Sequence, residues 1–167
     1  MSNLKQISYN REDVVRYAHT WAFGRNPRYY DFKGIGGDCT NFASQCLFAG
    51  AKVMNYTPTL GWYYNHLNDR APAWTSVNYF HQFLINNKGV GPYGSEVAIN
   101  QIEEGDFIQL MISKAVFQHT LIVVSVGKNP HPNNILVAAH TFDADNRPLS
   151  TYAVNGIRFI HIDGVRR

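Results

Sequence analysis

Residues 36–49 read GGDCTNFASQCLFA, and this stretch decides how the front half of the chain is expected to fold. Its apolar residues recur at three- and four-residue spacing, which is typical of a helix with one buried face. Glycines immediately upstream indicate a loop, and Gly50 indicates a stop. The pattern therefore predicts a helix over 38–49 with Cys39 in its first turn.

The segments around this helix indicate the class of the fold. Apolar residues at helical spacing predict an amphipathic helix over 11–21 that Asn10 caps, and a further short helix begins at Val77. Beyond Gly94 the pattern changes to short apolar runs typical of strands. These runs cover residues 106–112, 119–126, 134–140 and 156–162. Helices followed by an antiparallel meander place the chain in the α+β class.

The size and composition of the chain indicate one globular domain over residues 1–167. Its 167 residues are 45% hydrophobic and 16% charged, which excludes disorder and coiled coil. The net charge is +3, and the basic residues are scattered along the chain rather than clustered. We therefore expect no nucleic-acid partner.

The opening residues, MSNLKQISYNRED, contain no apolar run, and no span of about 18 apolar residues follows. The sequence thus predicts neither a signal peptide nor membrane insertion. We expect a monomer that is cytoplasmic until it is released, or an excised module of a larger protein that is secreted or phage-encoded.

The chain has two cysteines, Cys39 and Cys46, which a helix would place about 10 Å apart along its axis. This separation is too large for a disulfide. A thiol at a helix N-terminus has free N–H groups before it, and these favour the thiolate nucleophile. Cys39 is therefore the candidate nucleophile, with a buried apolar cysteine as the alternative, and Cys46 is expected in the core.

Two of the seven histidines stand at strand ends where they can serve such a thiol. His119 opens the predicted strand 119–126, and His140 closes the next one. Antiparallel neighbours bring the start of one strand beside the end of the next, so the two imidazoles can meet. A catalytic cysteine needs a base and a third group that orients the base.

The run from Gly36 to Gln45 resembles the motif of an amidase-domain family that is related to NlpC-type cell-wall peptidases and CHAP amidases. Three further stretches carry the resemblance across nearly the whole chain. They are Arg25 to Tyr29, Trp62 to Tyr64 with Ala73 and Trp74, and Glu104 to Ile108. The resemblance implies a papain-like fold, with the nucleophile at a helix start packed on a C-terminal antiparallel sheet.

The same resemblance assigns roles to individual residues. It makes Cys39 the nucleophile, His119 the base and His140 the third polar residue. Asp143 or Asp145 is the alternative for that third role, because the insertion over 127–134 lengthens the connection.

The resemblance also indicates which residues meet the substrate. Tyr29 would hold the substrate oxygen together with the Cys39 N–H, with Tyr30 as its competitor. Asp38, Trp62 and Trp74 are assigned with Tyr29 to oxyanion or substrate binding. Tyr64 is a further candidate for the groove, and packing in the core is the alternative for these aromatic residues.

The reaction that the resemblance implies is cofactor-free hydrolysis of an amide in bacterial peptidoglycan. The bond cut is either the one between muramic acid and L-alanine or one within the stem peptide or its crosslink. Two other classes remain as alternatives. One is a metal hydrolase with ligands from His119, His140, Asp143 and Asp145, and the other is a non-catalytic wall-binding module with aromatic sugar platforms.

Overall fold

The computed structural model describes residues 3–167. Met1 and Ser2, which belong to the segment considered above for a signal peptide, lie outside the described residues. The helices are α1 (Arg11–Trp21), α2 (Cys39–Ala51), α3 (Pro72–Thr75) and α4 (Val77–Asn86). The strands are β1 (Gln6–Ile7), β2 (Tyr64–His66), β3 (Asp69–Arg70), β4 (Gly91–Val97), β5 (Phe107–Met111), β6 (His119–Val126), β7 (Ile135–Ala139), β8 (Ala144–Pro148) and β9 (Gly156–Arg166). The chain is thus a mixture of helices and sheet.

The main sheet is antiparallel, with strand order β1-β9-β5-β6-β7-β8 and with β4 also paired to β9. The predicted meander is confirmed from β5 to β7 and continues into β8. The final strand departs from it, because β9 returns to lie beside β5 instead of at the far edge. At 11 residues, β9 is long enough to pair with both β4 and β5.

Helices α1 and α2 confirm the helical predictions for the front half of the chain. The side chain of Asn10 caps α1 by accepting a hydrogen bond from the Asp13 N–H at 3.0 Å. The expected stop at Gly50 is wrong, since α2 continues to Ala51 and ends at Lys52 in a left-handed conformation. A Cβ at position 50 would lie 2.4 Å from a methyl of Val14. Gly50 therefore serves the close approach of α1 to α2.

Two apolar clusters cover the two faces of the sheet. The helices pack on one face, where Phe42 and Leu47 of α2 share a cluster with Ile122. On the other face a second cluster contains Leu121 and Val123. Because side chains alternate along a strand, neighbouring residues of β6 serve opposite faces.

Several elements escaped the sequence patterns. These are the short strands β1 to β3, helix α3 and the strands β4 and β8. Pro92 and Gly94 are residues that strands usually lack, so the local pattern does not predict β4. A Cβ at Gly94 would lie 2.3 Å from the carbonyl oxygen of His161, because β4 pairs closely with β9 there. That strand depends on its long-range partner, which a local pattern does not contain. In the described residues no helix has the length and apolar character that crossing a membrane requires.

Candidate active site

Cys39 is the first residue of α2, and its side chain is 8% exposed. Burial raises the pKa of the thiol above its usual value. The backbone N–H of Thr120 and the hydroxyl and N–H of Thr40 lower that pKa by donating toward the sulfur, whereas the Asp38 carboxylate raises it. The net shift is upward, so the resting side chain is a neutral thiol at pH 7.

His119 is the first residue of β6, and its side chain is 6% exposed. Burial, with a smaller contribution from the charge of Arg147, lowers the pKa of the ring to about 4. The imidazole is therefore neutral at pH 7. Its ring centroid lies 6.2 Å from that of Tyr152, and among residues 3–167 no side chain or backbone group hydrogen-bonds to it. A neutral imidazole with unused nitrogens has the protonation state that a base needs.

Thr120 joins the start of α2 to the start of β6. Its N–H faces the Cys39 sulfur, and its hydroxyl lies 3.0 Å from the hydroxyl of Thr40. These contacts bring the sulfur beside the residue that follows His119. In the part of the chain that the structure describes, no hydrogen bond joins the sulfur to the His119 ring itself.

The structure places His140 in a different network from His119. Its Nδ1 lies 2.5 Å from a carboxylate oxygen of Asp38, and its Nε2 lies 2.8 Å from the carbonyl oxygen of Trp21. The ring also stacks on Phe42, with 3.7 Å between the centroids. Nη1 of Arg25 also lies 3.2 Å from Nε2, so both ring nitrogens have hydrogen-bond partners within the protein. The expected contact between His140 and His119 is not formed.

Asp38 is buried, with 1% of its surface exposed. Besides His140, it accepts hydrogen bonds from the Phe32 N–H at 2.8 Å and from the Asn41 amide at 2.9 Å. The expectation that Asp38 binds substrate is corrected, because its carboxylate is occupied by protein donors. It holds the loop before Cys39 and the first turn of α2 in place.

The carboxylates considered as alternatives to His140 also have partners elsewhere. Asp143 forms a bidentate ion pair with Arg25, in which both N–O distances are 3.0 Å. Asp145 accepts from His19 at 2.8 Å. Within residues 3–167 neither carboxylate hydrogen-bonds to His119, and the four residues proposed as metal ligands do not come together in one cluster.

A different group, Glu103, Asp106 and His161, does have ligand-type atoms within 4.8 Å of one another. The guanidinium of Arg11 lies 2.7 Å from Asp106, and His161 lies 2.8 Å from the same carboxylate. Asp106 also accepts from the N–H groups of Glu103 and Ile162. This carboxylate is thus balanced by a cation and by three further donors.

The aromatic residues expected to line a groove are in the core. Trp62 and Trp74 have no exposed surface, and their stacked rings lie 4.9 Å apart. The groove interpretation is therefore wrong for both tryptophans, since a substrate has no access to their faces. Tyr64 is also buried, and its hydroxyl accepts from the Tyr30 N–H at 2.9 Å. Aromatic spacing alone does not distinguish a core from a binding surface.

Tyr29 belongs to the same aromatic group. Its ring stacks on that of Trp74 at 5.8 Å, and it lines a cavity of about 350 Å³ together with Phe48 and Met54. Phe48 and Met54 lie toward the C-terminal end of α2, whereas the indole N–H of Trp74 donates to Asn41 in the first turn of that helix at 2.9 Å. Within residues 3–167 no hydrogen bond joins Tyr29 to Cys39, and the oxyanion role expected of Tyr29 stays a prediction. A larger cavity, of about 880 Å³, is bordered by α1 and the segment after β6 and includes neither Cys39 nor His119 in its lining.

Some residues around the sulfur were missed from the sequence. Thr120 and Gln109 are fully buried polar residues inside the apolar strands β6 and β5. Each one interrupts an otherwise apolar run, and a buried polar group normally needs a hydrogen-bond partner. That interruption was the signal that could have identified them.

Comparison with known proteins supports the amidase-domain part of the resemblance. Residues 8–162 match a family described as "Putative amidase domain". The chain belongs to this family. It is also 32% identical over 146 residues to "Uncharacterized protein YhbB" of Bacillus subtilis (strain 168). The match covers 86% of this chain and 45% of that relative, so the chain spans about half of the relative's length. No solved structure gave a significant match.

Proposed function

We propose that this amidase domain is a cysteine hydrolase in which Cys39 is the nucleophile and His119 is the base. The observation that carries the proposal is the position of the Cys39 sulfur. It lies at the start of α2, 3.8 Å from the Thr40 hydroxyl, and that hydroxyl is 3.0 Å from the hydroxyl of Thr120, the residue that follows His119. Membership of an amidase family supports hydrolysis of an amide bond.

In the proposed reaction, the neutral imidazole of His119 takes the thiol proton while the sulfur attacks the amide carbonyl carbon. The C–N bond then breaks, and His119 returns the proton to the leaving amine. Water, activated by the same imidazole, hydrolyses the thioester and releases the acid and the free thiol. The lowered pKa of His119 leaves the ring unprotonated at pH 7, so its nitrogens are available to accept a proton.

The N-terminus of α2 also provides donors for the developing oxyanion. The N–H groups of the first helical turn have no intrahelical acceptors. The Cys39 N–H is thus suited to the carbonyl oxygen of a substrate. A helix start that presents a thiol to an antiparallel sheet is also what a papain-like arrangement requires, and we propose that arrangement for this fold.

We further propose that the substrate is bacterial peptidoglycan, cut as an amidase or as a peptidase. This part of the proposal rests on the resemblance of residues 36–45 to the motif of cell-wall enzymes. The net charge of +3 is compatible with an anionic polymer.

The test is digestion of purified peptidoglycan, with mass spectrometry of the released fragments. Cys39→Ala should abolish release while circular dichroism shows a folded protein, and Cys46→Ala should retain most of the activity. A chelator should leave the wild-type rate unchanged. Full activity in Cys39→Ala would contradict the thiol mechanism. Loss of activity with chelator alone would favour the metal hydrolase, and wild-type protein that binds peptidoglycan without releasing fragments would favour the wall-binding module.

A further inference from the structure

A chain of hydrogen-bonded polar side chains, of which all but the first are buried, leads from β9 to the Cys39 sulfur. It passes from Arg158 on β9 to Gln109 on β5, then to Thr120 on β6 and Thr40 on α2. The hydroxyl of Thr40 is 3.8 Å from the sulfur. Gln109, Thr120 and Thr40 are each at most 1% exposed, so water does not compete for their hydrogen bonds.

The direction of this chain is set at its far end. Arg158 donates through Nε at 2.8 Å and Nη2 at 2.5 Å to the Oε1 atom of Gln109. Arginine only donates, so this side of the Gln109 amide is its oxygen. The amide nitrogen then donates to the Val77 carbonyl at 2.8 Å and to the Thr120 hydroxyl at 3.1 Å.

The orientation of the Gln109 amide determines the directions in which the Thr120 and Thr40 hydroxyls donate. Thr120 Oγ1 accepts from Gln109, so its own hydrogen needs an acceptor, and the Thr40 hydroxyl is 3.0 Å away. Thr40 Oγ1 accepts from Thr120 in turn, which leaves its hydrogen for the Cys39 sulfur. Within the described residues these two hydroxyls have no other side-chain partners.

We propose that Arg158, Gln109, Thr120 and Thr40 form a directed hydrogen-bond relay that aims the Thr40 hydroxyl hydrogen at the Cys39 sulfur and favours its thiolate. The relay rests on the proposed function for its role in the reaction. Thr40 contacts the reacting sulfur, and Gln109 and Arg158 are positioning residues that act through it. Each bond polarises the next, and the guanidinium charge at the far end strengthens the sequence.

The other ionisable groups near the sulfur do not replace this effect. Asp38, on the loop before α2, disfavours the thiolate. His119 on β6 is uncharged above about pH 4. The relay thus supplies stabilisation that opposes burial and the Asp38 charge.

The test measures the thiol directly, as the rate of Cys39 alkylation by iodoacetamide against pH in a Cys46→Ala background. Thr40→Val should raise the apparent pKa of Cys39 by about 0.5–1 unit, a three- to ten-fold loss of thiolate at fixed pH. Thr40→Ser, which keeps the hydroxyl, should restore the original titration. Thr20→Val is the matched control, because Thr20 donates to the Arg16 carbonyl on the exposed side of α1.

A double-mutant cycle tests the distal part. Gln109→Leu should shift the titration in the same direction, and it should add nothing in a Thr40→Val background because the relay is already broken. If Gln109→Leu does not fold by circular dichroism, Arg158→Met provides the same test. A Thr40→Val titration identical to that of Thr20→Val, or full additivity in the double variant, would overturn the relay. Alkylation needs no turnover, so this outcome is independent of whether Cys39 proves to be the nucleophile.

Discussion

His119 and His140 stand at neighbouring ends of β6 and β7 and are buried to similar extents, with 6% and 1% of their surfaces exposed. Their hydrogen bonding differs. The nitrogens of His140 are taken by Asp38 and the Trp21 carbonyl. The ring of His119 has no hydrogen-bond partner within residues 3–167 and has a pKa lowered to about 4.

The difference teaches that burial alone does not assign a histidine to catalysis or to structure. A ring with both nitrogens bonded to the protein has no capacity left to take a proton from a thiol. A buried neutral ring with free nitrogens retains that capacity. We infer that His119 serves the chemistry, whereas His140 holds Asp38 and through it the helix start that presents Cys39.

The largest effect should come from removing His119. We expect His119→Ala to lower kcat/KM on peptidoglycan fragments by at least about 10³-fold, because the nucleophile loses its base. The ring makes no hydrogen bond to the described part of the chain, so the loss of stability should stay within that of an ordinary buried truncation. Steady-state kinetics and thermal unfolding measure the two effects. A folded His119→Ala variant that keeps a tenth of the wild-type rate would contradict the assignment of His119 as the base.

The next largest effect should come from replacing His140, and it should fall on stability rather than on activity. His140→Ala removes a buried hydrogen-bond partner of Asp38 and a ring that stacks on Phe42, and the free energy of unfolding should fall by about 2–5 kcal/mol. At temperatures where the variant is folded, its activity should exceed that of His119→Ala. Denaturant unfolding and kinetics on the same preparations measure this. Wild-type stability combined with a rate as low as that of His119→Ala would instead restore the orienting role.

A smaller effect is expected in the pH dependence. The acid limb of kcat/KM should lie near pH 4 and not near 6.5, because His119 stays unprotonated down to that point. The unfolded chain takes up this proton near pH 6.5, so the free energy of unfolding should fall as the pH drops from 6.5 to about 4. The loss is at most about 3 kcal/mol. His119→Ala should remove this component, and an unchanged pH slope in the variant would contradict the low pKa.

Periodicity was sufficient to predict the elements whose own residues carry the signal. Helix α1 and strand β6 lie where the sequence placed them, from Arg11 to Trp21 and from His119 to Val126. Strand β4, with Pro92 and Gly94, forms by pairing with β9 some 70 residues later. Such long-range pairing leaves no local trace, and neither does the return of β9 to the side of β5.

In the candidate site, too, local features were predictable from the sequence and long-range contacts were not. Cys39 at a helix start followed from local pattern, since the glycines and the apolar spacing lie next to it. The partners of His140 did not follow, because Asp38 lies about 100 positions away and the register of β6 and β7 decides which side chains meet. The tryptophans were misplaced because their burial depends on packing against distant elements.

The central claim, that Cys39 is the nucleophile, is tested most directly by comparing alkylation with activity in one sample. Partial treatment with iodoacetamide gives a series of preparations in which peptide mass spectrometry measures modification at Cys39 and Cys46 separately. The account predicts that residual peptidoglycan hydrolysis falls in proportion to the fraction of Cys39 modified, with Cys46, which is fully buried, unmodified. Full activity in protein whose Cys39 is completely alkylated would contradict it.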